Sequence, residues 1–217
     1  MTKKRCPWAE DVEEIYVKYH DEEWGVPTYD DQELFELLVL ESFQAGLAWI
    51  TILKKRENFR ASFDNFDVQK VAAYDEKKIE ELRNNKGIIR HKGKINAAIN
   101  NAKIFIEIQK EYGSFSNYIW QFTDNQILVD TEENYLTNSP LSEKIAKDLK
   151  KRGMKFVGTT IIYSYLESIG IINNHIHECF RYDELKWLII IWRIYNESIC
   201  LIRGIEGKHE KLWHWPC

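Results

Sequence analysis

The chain has 217 residues, a formal net charge of -4 and 13% aromatic residues, with eight Trp among them. That length buries a substantial core in one large domain or two small ones. The acidic balance argues against nucleic-acid binding by net charge alone, the longest apolar run near the end (187–192) is far too short for a bilayer, and four cysteines are too few for a disulfide scaffold.

Apolar positions recur at helical spacing through most of the chain. The first clear helix is expected over 32–45, with Asp30 and Asp31 before it as caps. A shorter amphipathic stretch covers 53–63. The span 68–82 reads as a short helix followed by a second start at Asp75. A long helix is expected over 88–111, with Ile95, Ile99, Ala102 and Ile106 on one stripe. Residues 116–122 make an aromatic turn of helix, and 127–135 read as a polar loop. Ser139-Pro140 introduces a helix over 141–151, with the Pro near its first turn. A last helix is expected over 159–168, ending at Gly170. There is no strand ladder and no repeat, so one all-α domain over 1–180 is expected. Residues 181–217 form a Trp-rich extension, either an extra helix packed on the domain or a poorly ordered apolar tail.

Charge is uneven along the chain. Residues 1–48 carry four basic and twelve acidic side chains, whereas 86–110 and 144–155 each carry six basic and one acidic. The two basic stretches are either a local positive face or ordinary solvated helix ends. Met1-Thr2-Lys3-Lys4-Arg5 leads into polar sequence with no apolar h-region. A soluble, reducing, cytoplasmic setting is expected, in which Cys with His favours metal over disulfide.

Cys6, His20, His175 and Cys179 are a full ligand set for one tetrahedral structural zinc. His175 and Cys179 stand at i, i+4, so on a helix both leave one face. The zinc would tie the N-terminal segment to the end of the helical domain. His177 would then point away from the metal to the surface. His91, between Arg90 and Lys92, reads as a solvated or DNA-facing residue. Sets using Cys200, Cys217, His209 or His214 lack comparable spacing.

The sharpest local motif is Lys150-Lys151-Arg152-Gly153-Met154-Lys155-Phe156-Val157-Gly158-Thr159-Thr160. Two glycines bound a hairpin between two expected helices, and N–H groups opening the second helix can bind an anion. This pattern resembles the helix-hairpin-helix element of DNA repair proteins. In that superfamily a catalytic Asp follows the hairpin by about one helix; the matching stretch here is Ile171-Ile172-Asn173-Asn174-His175-Ile176, with an amide at Asn173.

That absence points to the zinc-bound branch lacking the Asp. The chain resembles the DNA-3-methyladenine glycosylase I family from residue 6 to about 180. The likeness includes Tyr19-His20-Asp21-Glu22-Glu23-Trp24-Gly25-Val26-Pro27, Gln44-Ala45-Gly46-Leu47-Ala48-Trp49, Gly87-Ile88-Ile89-Arg90-His91 and the hairpin. All four metal positions match. The resemblance implies a helix-hairpin-helix glycosylase fold and a monofunctional enzyme. It would hydrolyse the N-glycosidic bond of 3-methyladenine in duplex DNA by base flipping and water attack, as a monomer, leaving an abasic site.

Residue roles follow by the same resemblance. Glu41 would be the pocket carboxylate and the catalytic group; a charge at the end of Leu37-Leu38-Val39-Leu40 is expensive unless it is partnered. Tyr19 and Trp49 would stack on the base, with Tyr16 as a further candidate and Trp24 either pocket or core. Ser164 matches a pocket-side position. Gly46 would allow close approach to DNA, with Leu47 as the apolar wedge or as a core residue. Lys155, Gly158, Thr159 and Thr160 would contact the DNA backbone. Ser42-Phe43 departs from the family pattern, and Phe43 either reshapes the pocket rim or simply packs. Val157 stands where bifunctional relatives carry a Lys, so no lyase step is expected. The rivals are a non-catalytic DNA-binding module and a zinc-stabilised helical protein with a nucleotide or protein partner.

Overall fold

In the computed structural model, residues 3–129 and 136–185 are described. Most of the Trp-rich extension therefore lies outside the described residues. The described part is mainly helical, as expected. Residues 180–185 continue as helix, with Tyr182 and Leu185 buried.

Helix α2 (Asp31–Gln44) is the axis of the core, and every residue from Leu34 to Phe43 is buried. Its apolar residues occupy all faces, which marks a helix surrounded by protein. Asp30 caps it by accepting from Gln32 N and Glu33 N at 3.0 Å. Asp31 does something else: it accepts from Phe115 N and Ser116 N, both at 2.8 Å, and so anchors α8 (Phe115–Trp120) to α2.

α3 (Trp49–Leu53), α7 (Lys92–Tyr112) and α10 (Thr159–Ser168) pack directly on α2; α1 (Glu14–Glu22) packs on α3, α5 (Val68–Ala72) and α6 (Glu76–Asn84) on α7, α9 (Pro140–Lys151) on α10, and α4 (Arg56–Ser62) on the short 3₁₀ turn Asp64–Phe66 that follows it. The expected 53–63 stretch is α4, and Leu53 is the last residue of the preceding α3. The expected break before Asp75 is real: Asp67 caps α5 and Asp75 caps α6 through their side chains. The long helix starts at Lys92 rather than at residue 88, because His91 Nδ1 accepts from Lys94 N at 3.1 Å and opens the helix there. At Ser139 a reciprocal capping box with Ser142 opens α9.

One expectation is corrected. The stretch read as loop and the stretch after α10 pair as a short parallel ladder, β1 (Leu128–Val129) with β2 (Ile172–Asn173). Two residues per strand are too few for alternation to register in sequence.

Gly170 ends α10 at φ +74°, and a Cβ there would meet Pro27 N and Val26 C at 2.5 Å. The same contact carries Gly25 N to Glu167 O at 3.1 Å and Thr28 N to Ile169 O at 3.1 Å. The loop after α1 is thereby docked on the end of α10, which sets two walls of the site described next.

Candidate active site and metal centre

The C-terminal end of α2 is held by an unexpected residue. Lys94 lies in one of the basic stretches, yet it is buried, and its Nζ donates to Phe43 O at 2.8 Å and Ala45 O at 2.6 Å. A cation on the last carbonyls satisfies groups the helix leaves unpaired and complements its dipole. Lys94 is therefore not available to DNA. Beyond it, Gly46 turns at φ +81° and Leu47 is 40% exposed.

Glu41 sits in the last turns of α2 and is 3% exposed. It borders a cavity of about 260 Å³ lined by Trp8, Tyr16, Tyr19, Trp24, Gln44, Trp49, Ser164, Glu167 and Asn174 among others. Tyr19 and Trp49 have ring centroids 5.5 Å apart, and Trp8 lies 5.1 Å from Tyr16 and 4.9 Å from Trp24. Glu41 Oε2 and Trp49 Nε1 are buried without a hydrogen-bond partner among the described residues. Burial first, then the charge of Glu167, pushes the Glu41 carboxyl well above the usual carboxylate range. Burial and the Glu41 charge likewise push the Tyr19 hydroxyl up. An acceptor and a donor left unpaired in an aromatic cage suit a planar polar ring with an exposed edge.

The cage thus brings together Glu41, Tyr16, Tyr19, Trp49, Ser164 and Trp24 from the sequence expectations. It adds Trp8, Gln44, Glu167 and Asn174, which the sequence did not single out. Phe43 is settled as core: it packs on Phe59 at 4.9 Å and Phe63 at 6.0 Å and is absent from the cavity wall. Asn173 is buried and also off the wall; its Oδ1 accepts from His175 N at 3.2 Å.

Gly46, Leu47, Lys155, Gly158, Thr159 and Thr160 all stand outside the cavity, on exposed or half-exposed chain. The turn between α9 and α10 is pinned from below. Asn101 accepts from Lys155 N and donates to Lys155 O, both at 2.8 Å, and Asn100 donates to Gly153 O at 3.0 Å. Ser42 Oγ bonds Leu38 O at 2.8 Å and Phe156 O at 3.2 Å, which ties the Glu41 helix to this turn.

Cys6, His20, His175 and Cys179 converge as expected, all buried, with their ligand atoms within 4.8 Å of one another. Cys6 Sγ lies 3.5 Å from His175 Nδ1, and Cys179 Sγ lies 3.5 Å from both His175 Nδ1 and His20 Nε2. Zinc bonds of about 2.3 Å to S and about 2.0 Å to N give a tetrahedral S···N edge of about 3.5 Å. The spacing fits the ion. The outer nitrogens fit as well: His20 Nδ1 meets Asp21 Oδ1 at 2.8 Å, and His175 Nε2 meets Trp24 O at 3.2 Å. Such acceptors fix the imidazole tautomer that offers the other nitrogen to a metal. Arg5 in turn grips Asp21 through Nε and Nη2 at 2.7 to 3.1 Å. The Cys6 hydrogen bond, with help from both imidazoles, pushes the Cys179 thiol strongly down, and the same bond with burial pushes Cys6 up. His175 and Cys179 are not on a helix; a turn between them brings both side chains to one point. His177 is exposed, as expected.

A solved structure of 3-methyladenine DNA glycosylase I is similar at 47% identity and TM-score 0.78, covering 82% of this chain and 98% of that one. A Staphylococcus aureus structure, described as giving the basis of 3-methyladenine recognition by 3-methyladenine DNA glycosylase I, matches at 35% identity and TM-score 0.77, over 81% of this chain and 95% of that one. DNA-3-methyladenine glycosylase 1 of Escherichia coli (strain K12) is 46% identical over 186 residues, 84% of this chain and 99% of that protein. The methyladenine glycosylase family model matches residues 8–182, and the chain belongs to that family. It is an enzyme, a glycosylase hydrolase. Among the described residues no helix is long and apolar enough to cross a membrane.

Proposed function

We propose that the chain excises 3-methyladenine from alkylated duplex DNA, as the relatives' names indicate for them, and leaves an abasic site for base excision repair. The observation that carries this reading is the buried Glu41 carboxyl inside an aromatic cage, with its Oε2 unpartnered among the described residues.

Methylation at N3 makes the adenine a cation. When the bond from C1′ to the base breaks, the ring keeps the electron pair and leaves neutral. Water adds to C1′ and releases a proton. Little activation is needed, so an Asp at position 173 is dispensable; what is needed is an extruded base held in place. Tyr16, Tyr19 and Trp49 face the cation with their rings, each contact worth about 0.5–2 kcal/mol when desolvated. Glu41 accepts from the exocyclic amine. Guanine presents an acceptor at that edge and meets Glu41 unfavourably. Ser164 borders the same wall.

Leu47, projecting beyond Gly46, fills the stack the base has left. The rigid turn at Lys155–Thr160 acts as the helix-hairpin-helix contact: N–H groups at Gly158, Thr159 and Thr160 take a phosphate, and Lys155 adds charge. Val157 is buried, so that position supplies no amine for a lyase step. Zinc on Cys6, His20, His175 and Cys179 would be structural, since four protein ligands leave no open position. The enzyme acts as a monomer.

The test is direct. Duplex DNA methylated at adenine N3 is incubated with the protein, and free 3-methyladenine is measured. Release with an abasic product and no strand cleavage supports the reading. No release above background from zinc-loaded, folded protein sinks it.

A further inference from the structure

Glu41 is not the only acid at the cavity. Glu167, on the α10 face behind Ser164, lines the same wall, and its Oε1 accepts from Asn174 Nδ2 at 2.6 Å. Its backbone is fixed too, because Glu167 O accepts from Gly25 N at 3.1 Å. Asn174 itself lines the cavity, so the amide presents Glu167 at the wall rather than pulling it into solvent. Two acids of separate helices thus border one aromatic cage, and one of them, Glu41, holds a buried oxygen with no partner.

We infer that Glu167 is a second specificity-determining acid of the base pocket, a standing negative charge that favours cationic N-alkylated purines over neutral ones. The inference rests on the cavity being the base site.

The reasoning is electrostatic. Glu41 is the more buried acid and is held toward its neutral form by burial and by Glu167. When two acids share a site, environment splits their roles. Glu167 is half-exposed and its Oε1 accepts from Asn174, so both water and an amide donor reach its carboxylate. A cationic ring entering between the cage walls gains from that charge; a neutral ring of the same shape does not. Across the cavity wall stand Tyr16 and Tyr19 of α1 and the Cys6 thiol, with no Lys or Arg among the lining residues. Glu23 and Arg56 act on Tyr19 from outside the wall.

The test compares two probes on wild-type protein and on Glu167→Gln. The first is 3,9-dimethyladeninium, a permanent cation; the second is 3-methyladenine as the neutral free base at pH 8. Binding is followed by calorimetry and by quenching of Trp fluorescence. The amide keeps the size of the side chain and an acceptor for Asn174. The expected result is about a tenfold loss of cation affinity, or about 1.4 kcal/mol, with less than a twofold change for the neutral base. An equal loss for both probes makes Glu167 merely structural, and unchanged cation affinity makes its charge irrelevant; either overturns the inference while leaving the base site standing. Wild-type protein that binds neither probe overturns the base site itself.

Discussion

Replacing Glu41 by Gln separates stability from function. In the free protein Glu41 is a 3% exposed acid with a buried, unpartnered oxygen, and its carboxyl is raised well above 4.5 by burial and by Glu167. A raised carboxyl gives its stabilising contribution below the unfolded value. Between 4.5 and the folded value, the folded state keeps a proton that the unfolded chain has released, so stability falls as pH rises through that window. Glu41→Gln abolishes this slope. At pH 5 and below, variant and wild type are expected to melt close together. At pH 8 the variant is expected to be more stable by about 1–3 kcal/mol, the cost of one buried uncompensated polar group, or about 2–10 °C in Tm at this size. Excision is expected to fall by about 100-fold or more, as for loss of one preorganised polar group at a reacting site. Melting curves from pH 4.5 to 8.5 and single-turnover excision check both halves. A variant less stable than wild type at pH 8, or one that excises normally, would refute the reasoning.

Three further outcomes are expected. Gly170→Ala places a Cβ 2.5 Å from the Val26–Pro27 backbone at positive φ, and should cost about 2–5 kcal/mol, read as a fall in Tm with loss of zinc retention. Metal analysis should find one zinc per chain, and Cys179→Ala or strong chelation should lower Tm and weaken binding of 3-methyladenine together, since metal binding is folding energy at such a site; a metal-free protein with unchanged Tm would remove the zinc. Leu47→Ala, at a 40% exposed position, should leave stability within about 0.5 kcal/mol and leave free-base affinity intact while slowing excision from duplex DNA; loss of free-base binding would place Leu47 in the pocket instead.

What could be read from the residues alone divides along physical lines. The α2 helix was legible from its helical spacing, and Glu41 stood out because it follows the unbroken apolar run from Leu37 to Leu40. The metal set was legible from ligand chemistry, although a turn rather than a helix joins His175 to Cys179. Trp8 was not, since it stands in a three-residue turn of 3₁₀ helix, Pro7–Ala9, without periodicity. Glu167 was hidden for another reason: an acid on an amphipathic helix looks solvent-facing until the end of α10 is seen docked on the 25–28 loop. Lys94 misled in the opposite sense, as a basic residue in a basic run whose ammonium group is spent on α2 carbonyls. Periodicity and residue type report local needs; these residues answer to partners distant in the chain.

The metal ligands gain their meaning from their neighbours. Cys6 itself lines the cavity, His20 follows Tyr19, and His175 stands between Asn174 and Ile176, so three of the four ligands lie on the cavity wall or next to a residue of it. His175 also meets Trp24 O through its outer nitrogen. An ion at the centre would fix the spacing of the N-terminal turn, α1 and the loop after β2 at once. None of those three segments packs around α2 as the long helices do, and each contributes aromatic or amide surface to the cage. A cage that discriminates by ring contact loses its selectivity when one wall shifts by a fraction of an ångström. Zinc at this position would therefore act on catalysis through geometry alone, with base affinity falling in step with metal content while Glu41 remains untouched.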